Sequence, residues 1–296
     1  PDVTVSGSSE EIEAGRSVTV QIADGASGSV TGTATVGASG GWSTDIDVSS
    51  LDDGTLTVTA DATNQAAVPA LQVGTTIDKD ATAPAGYGAA FDAAFVTPAN
   101  EGAIDFTLSG AEIGAAFDWS IASGGGGAPV TGSGTVGAAD EQVTGVDVSG
   151  LPDGTLTLSV TLTDVNGNAG APAQDTVVKD TVAPAGYAAA FDQDPLNIAN
   201  QGAIGFTFAG GEPGADFAYT ITSDGGAGVV SGNGTIVTAT DRVTGIDVSG
   251  LPDGMLTLTV ALTDAAGNTG ADATDTAAKD ATAPTLTLDV PIAGDD

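Results

Sequence analysis

Residues 147–164, DVSGLPDGTLTLSVTLTD, return at 247–264 as DVSGLPDGMLTLTVALTD and more loosely at 47–64 as DVSSLDDGTLTVTADATN. In the second half of the stretch Leu156, Leu158, Val160 and Leu162 alternate with Thr155, Thr157, Ser159, Thr161 and Thr163. A period of two belongs to a strand with one buried face, and such a strand needs a sheet around it. The Leu-Pro-Asp-Gly before it predicts a tight turn, since Pro152 fixes φ, Asp153 can bond its own backbone and Gly154 accepts a positive φ. After it, DVNGN at 164–168 and DAAGN at 264–268 are turn chemistry again. The unit of the chain is a turn, a long amphipathic strand and a second turn.

The repeat spacing follows from Lys79-Asp80, Lys179-Asp180 and Lys279-Asp280, which stand 100 residues apart, with Pro84, Pro184 and Pro284 in the same register. Residues 81–180 and 181–280 align without a gap; residues 1–80 join that register from Asp47 onward, with a shorter and different first half. Residues 281–296 carry one alternating run, Leu286, Leu288 and Val290, and read as the first strand or a stub of a further domain. In the third repeat the pattern predicts seven strands, at 188–191, 203–208, 217–222, 229–237, 243–248, 255–263 and 274–278. Seven short strands with no helical period predict an immunoglobulin-like β-sandwich. The expected fold is all-β, with tandem sandwiches end to end as a rod. At about 3.3 Å per residue, strands of about ten residues make three domains reach on the order of 100 Å.

The chain has no Cys and no His, which removes disulfides, thiolate metal sites and the usual general base. Asp and Glu number 39 against 5 Lys and Arg, a net charge of −34. Such a surface repels nucleic acid and anionic membranes, and no apolar run is long enough to span a bilayer. Charged residues are nevertheless only 15% of the chain, so the strand pattern outweighs any argument for disorder. Carboxylates packed with so little Lys or Arg call for another cation, and oxygen-only ligands favour Ca²⁺.

The two long repeats, with SGLPDGTLTLSVTLTD, a TDAAGNTG-like turn and a KDxxAPAGY linker, resemble the bacterial Ig-like repeats in the extender regions of giant RTX-type, type I secreted adhesins, including ice-binding and biofilm adhesins. The resemblance covers both long repeats throughout and residues 1–80 more loosely. It implies an extracellular, cell-surface location and Ca²⁺ at or near the domain junctions, stiffening the array. The glycine-rich nonapeptide repeats of that family's secretion region do not occur here.

In a sandwich of this order the loops at 192–201, 223–228 and 251–254 share one end with the exit at Lys279-Asp280. Those at 210–216, 238–241 and 264–268 share the other, facing the preceding domain. Stacking therefore gathers Asp153, Asp180, Glu212 and Asp264 at the second junction, and Asp53, Asp78, Asp80, Glu112 and Asp164 at the first. Asp253 and Asp280 hold the same positions at the exit of the third repeat. Ca²⁺ takes six to eight oxygens at about 2.3–2.6 Å, more than one turn supplies, so a junction is the place to collect them. Each residue also has a plainer reading: Asp53, Asp153 and Asp253 as turn formers, Asp164 and Asp264 as Asx-turn residues, and Glu112 and Glu212 as solvated loop charges.

Two functions compete on these grounds. One is a structural spacer that holds a distal adhesive domain away from the cell, its partners being neighbouring repeats of the same chain and the segment itself monomeric. The other is a module whose loops bind a glycan or a protein. An enzyme is disfavoured, because no Ser/His, Cys/His or His-metal constellation can be built.

Overall fold

The computed structural model describes residues 2–26 and 28–289, and within them every regular element is a β-strand. Val290, the last residue of the final alternating run, lies outside the described residues. The strands form three sandwiches, each with its own apolar core.

The first sandwich holds β1 (Asp2–Ser8), β2 (Ser17–Ala23), β3 (Ser29–Thr35), β4 (Gly41–Asp47), β5 (Gly54–Ala62) and β6 (Val73–Lys79). Its sheets run β1-β4 and β3-β2-β5-β6. The second holds β7 (Gly88–Phe91), β8 (Phe95–Val96), β9 (Ile104–Ser109), β10 (Ala116–Ser123), β11 (Val130–Thr135), β12 (Glu141–Val146), β13 (Gly154–Thr163) and β14 (Ala173–Lys179). Its sheets run β12-β9-β7 and β11-β10-β13-β14-β8. The third repeats this order with β15 (Ala188–Phe191), β16 (Leu196–Asn197), β17 (Ile204–Ala209), β18 (Asp216–Ser223), β19 (Gly226–Thr235), β20 (Arg242–Ile246), β21 (Gly254–Thr263) and β22 (Ala273–Asp280).

β13 and β21 are the central strands, hydrogen-bonded on both edges, and their alternation is the one the sequence displays. Leu156, Leu158, Val160 and Leu162 are fully buried, as are Leu256, Leu258, Val260 and Leu262. Phe106 and Phe206 come from the opposite sheets and are equally buried. Trp119 and Tyr219, at one register position, each meet that Phe edge-on with centroids 5.5 and 5.2 Å apart, a favoured aromatic geometry. These rings belong to the sandwich core and its margin.

Two features depart from the seven-strand expectation. The loop expected at 192–201 contains β16, a two-residue strand pairing parallel to β22, and β8 does the same against β14. The fourth expected strand lies beside the third, β19 on β18, so the sheets divide three and five. The first sandwich has, among the described residues, no counterpart of β7 and β8. Its β1 pairs only with β4, and its β6 only with β5.

Leu158→Ala is expected to destabilise the second sandwich by about 2–5 kcal/mol through the cavity it leaves. Thr155→Ala, on the exposed side of the same strand, should change it by less than about 0.5 kcal/mol. Chemical denaturation distinguishes the two, and equal losses would mean the alternation does not define the buried face.

Candidate functional site

Each Leu-Pro-Asp-Gly or Leu-Asp-Asp-Gly turn closes the end of its sandwich nearest the outgoing linker. Gly154 takes φ 130°, a conformation L side chains rarely adopt, and so delivers Asp153 toward the linker. Asp153 accepts hydrogen bonds from the Thr181 N–H at 3.0 Å and from the Thr181 hydroxyl at 2.9 Å. Asp53 accepts from Ala81 N–H at 3.0 Å, Thr82 Oγ1 at 2.6 Å and Lys79 Nζ at 2.6 Å. Asp253 repeats that set with Ala281, Thr282 and Lys279. The lysine, then the threonine hydroxyl, then the backbone N–H hold the Asp53 and Asp253 carboxyls down to about 2 from an ordinary 3.8. This aspartate therefore clamps the linker to the domain it leaves.

The other side of each junction is the turn after the central strand. Asp164 Oδ1 accepts from the N–H groups of Asn166 and Asn168, both at 2.8 Å, and its Oδ2 accepts from Asn168 Nδ2 at 2.8 Å. The Asn168 side chain contributes most to lowering the Asp164 pKa. Asp264 is held the same way by Asn268. Both aspartates are buried, and both make the Asx turn of their plainer reading. The turn also reaches across the boundary. Asn168 Nδ2 donates to the main-chain carbonyl of Asp80 at 3.2 Å, Asn166 Nδ2 to Asp80 Oδ2 at 2.7 Å, and Asn268 Nδ2 to the carbonyl of Asp180 at 3.0 Å.

Asp80 with Asp164, and Asp180 with Asp264, are thus brought together around one asparagine. Asp78 lies on β6 opposite Thr55, whose hydroxyl it accepts at 2.8 Å, and takes no part in that contact. Glu112 and Glu212 are exposed on their loops, where their backbone carbonyls accept from Ala115 and Ala215. Asp280 accepts from Thr282 N–H as Asp80 does. Among the described residues no three Asp or Glu carboxylates form a ready metal cluster.

The donor set at the asparagine still suits a hard cation. The Asp80 carbonyl and Asp164 Oδ2 both face one end of the Asn168 carboxamide. A half-turn of that amide exchanges its NH₂ for its oxygen, so three oxygens then face one another, an arrangement that a cation satisfies. The second junction offers the same three groups from Asp180, Asp264 and Asn268.

No protein-family model matches the chain, and no curated protein sequence does. Among solved structures, a tetra-tandem repeat in the extending region of a large adhesion protein is 30% identical over 94% of this chain and 70% of its own, with a TM-score of 0.38. This chain belongs to the tandem extender repeats of large adhesion proteins. A 1.5-MDa bacterial ice-binding adhesin studied for host cell surface retention is 21% identical, over 95% of this chain and 91% of its own, with a TM-score of 0.45. The FN1–FN3 domains of chicken CNTN1 are 11% identical, over 94% of each chain, with a TM-score of 0.35.

In these extender repeats the lysines that mark the register also have a structural duty. Lys179 is buried, its ammonium 2.7 Å from Glu101 Oε2 and 3.0, 3.3 and 2.7 Å from the carbonyls of Val148, Ser149 and Leu151. In the third repeat Gln201 stands at the position of Glu101, and Lys279 pairs instead with Asp253 while keeping the Leu251 carbonyl. Tyr87, from the linker motif, donates to the Ala171 carbonyl at 2.6 Å and accepts from Leu162 N–H at 3.1 Å, seating the linker on the domain it enters. A Cβ on Gly170 would collide with the Pro84 carbonyl, so only glycine permits that approach. Sequence reasoning used Lys179 as a ruler and missed its role. The available signal was that three of five cationic residues occupy one register position.

Asp253 has a depressed folded pKa, so its contribution is fully present above about pH 4 and is lost as pH falls toward about 2. The Tm advantage of the wild type over Asp253→Asn should therefore shrink across that window in a calorimetric pH series. A constant difference would mean the carboxylate charge does not hold the linker.

Proposed function

We propose that the chain is a spacer of a large, extracellular bacterial surface adhesin. It holds a distal binding domain away from the cell, and Ca²⁺ at its two junctions stiffens it. The spacer role is supported by the 30% identity to the extending region of a large adhesion protein, over most of both chains. It is supported further by linkers tied at both ends, through Asp53 and Asp153 to the domain left and through Tyr87 and Tyr187 to the domain entered.

One observation carries the Ca²⁺ reading: Asn168 and Asn268 each gather a main-chain carbonyl from one domain and a buried carboxylate from the next. Asp80, Asp164 and Asn168 would hold the first ion, and Asp180, Asp264 and Asn268 the second. The ion supplies positive charge at a boundary where two acidic domains otherwise repel. Two like charges 4 Å apart repel by about 4 kcal/mol at the effective dielectric of a protein surface.

Asn64 shows how to test charge apart from turn geometry. It occupies the register position of Asp164 and makes the same turn, its Oδ1 accepting from Ala66 and Val68 N–H. The double variant Asp164→Asn, Asp264→Asn should therefore keep its Tm in EDTA. In calorimetric titration the wild type should bind Ca²⁺ with Kd around 10⁻⁴–10⁻³ M, the range of extracellular modules, and the variant at least tenfold more weakly. Superimposable isotherms, or no heat from the wild type, would contradict the reading.

A further inference from the structure

Asparagine is followed by glycine at Asn166-Gly167 and at Asn233-Gly234. This pair readily loses the asparagine amide, because the glycine main-chain nitrogen can reach the side-chain carbonyl carbon with no Cβ in the way. The two pairs sit in opposite surroundings. β19 holds Asn233 and Gly234 in its ladder, opposite Ala218 and Phe217 of β18, and a Cβ on Gly234 would lie 2.6 Å from the Phe217 ring. Ring closure there requires the strand to leave its neighbour. Asn166 and Gly167 are exposed in the turn after β13, where Gly167 takes φ 91° and a Cβ would meet nothing within 4 Å. The Gly167 N–H donates to the Asp164 carbonyl at 3.2 Å, at the long end of the normal range.

The reactive turn is also part of a domain boundary. Asn166 Nδ2 donates to Asp80 Oδ2 at 2.7 Å, from the second sandwich to the residue that ends the first repeat. At the second junction the same register position holds Ala266, and the crossing to Asp180 is made by Asn268. The two junctions are alike in fold and differ in this one amide.

We propose that Asn166 is a site of spontaneous deamidation, and that its conversion loosens the first junction while sparing the second. The Gly167 nitrogen bonds to Asn166 Cγ, the Cγ–Nδ2 bond breaks, and Nδ2 leaves as ammonia with the proton given up by the glycine nitrogen. Water then opens the cyclic imide, at one carbonyl to aspartate and at the other to isoaspartate, whose main chain runs through the former side chain. Water is the one co-reactant, and nothing is oxidised or reduced. Either product replaces a hydrogen-bond donor with a negative charge. The new aspartate faces the Asp80 carboxylate that the amide had bonded, so an attraction across the boundary becomes a repulsion between like charges. The isoaspartate in addition lengthens the main chain of the turn that carries Asn168 to the Asp80 carbonyl.

The test incubates the full chain in mildly alkaline buffer containing a chelator, so the outcome does not depend on Ca²⁺, and maps it by peptide mass spectrometry. The mass gain of amide-to-acid conversion should accumulate at Asn166 about tenfold faster than at Asn233, whose ladder must open first. No conversion at Asn166, or conversion at Asn233 as fast or faster, would overturn the assignment. The consequence is read separately by hydrogen exchange of the two linkers in Asn166→Asp, a substitution at an exposed position where the next repeat already carries Ala. Exchange at 81–84 should rise severalfold and exchange at 181–184 should stay as in the parent chain, and adding Asp80→Asn should reverse the rise. Unchanged exchange at 81–84, an equal rise in both linkers, or no reversal would each overturn the link between deamidation and the joint.

Discussion

The contact on which the structure turns is a single carboxamide at each domain boundary. Asn168 and Asn268 are held in place by the buried aspartate of their own turn, and from there they reach the main-chain carbonyl of the residue ending the previous repeat. A main-chain acceptor exists whatever side chain surrounds it, so the contact is specified by where the linker runs. The linker's course is in turn set by Asp153 at its start and Tyr187 at its end.

All this is built in a chain with a net charge of −34. Two of the scarce cations, Lys179 and Lys279, are placed inside rather than on the surface. Lys179 lies in a nest of three carbonyls and one carboxylate, closing the turn from which Asp153 clamps the linker. The exchange of Glu101 for Gln201 shows the arrangement tolerating a change of counterion: Lys279 keeps its carbonyl and takes the clamp aspartate itself. The two long repeats therefore reach the same end structure by different pairings. Internal lysine charge serves one face of each junction, and the other face is built from carboxylates, carbonyls and asparagine carboxamides.

Much of the fold was legible because the alternation in 155–163 states which residues point inward, and turn residues on either side state where the strand stops. Period two says nothing about neighbours, however. That is why the fourth strand's place beside the third, and the two-residue β8 and β16, emerged only in three dimensions; a pair of residues is too short to show any period. At the junctions, residue type and recurrence singled out Asp80, Asp164, Asp180 and Asp264, which the linkers and turns bring to the domain boundaries. Asp78 looked equivalent to Asp80 two residues on, yet β6 ends at Lys79, so Asp78 stays in the ladder opposite Thr55 whereas Asp80 has already entered the linker. Lys179 escaped notice because a lysine is expected at the surface, and only the sandwich end reveals the carbonyls that surround it.

The central claim is that each boundary is a defined joint that a divalent ion locks. Because the chain has no cysteine, spin labels attach only where cysteines are introduced, and Thr155→Cys with Met255→Cys places one at the same exposed position in each long repeat. Pulsed dipolar spectroscopy across the second junction should give a narrow distance distribution in millimolar Ca²⁺ and a broad one after chelation. A distribution of the same width in both conditions would contradict the account.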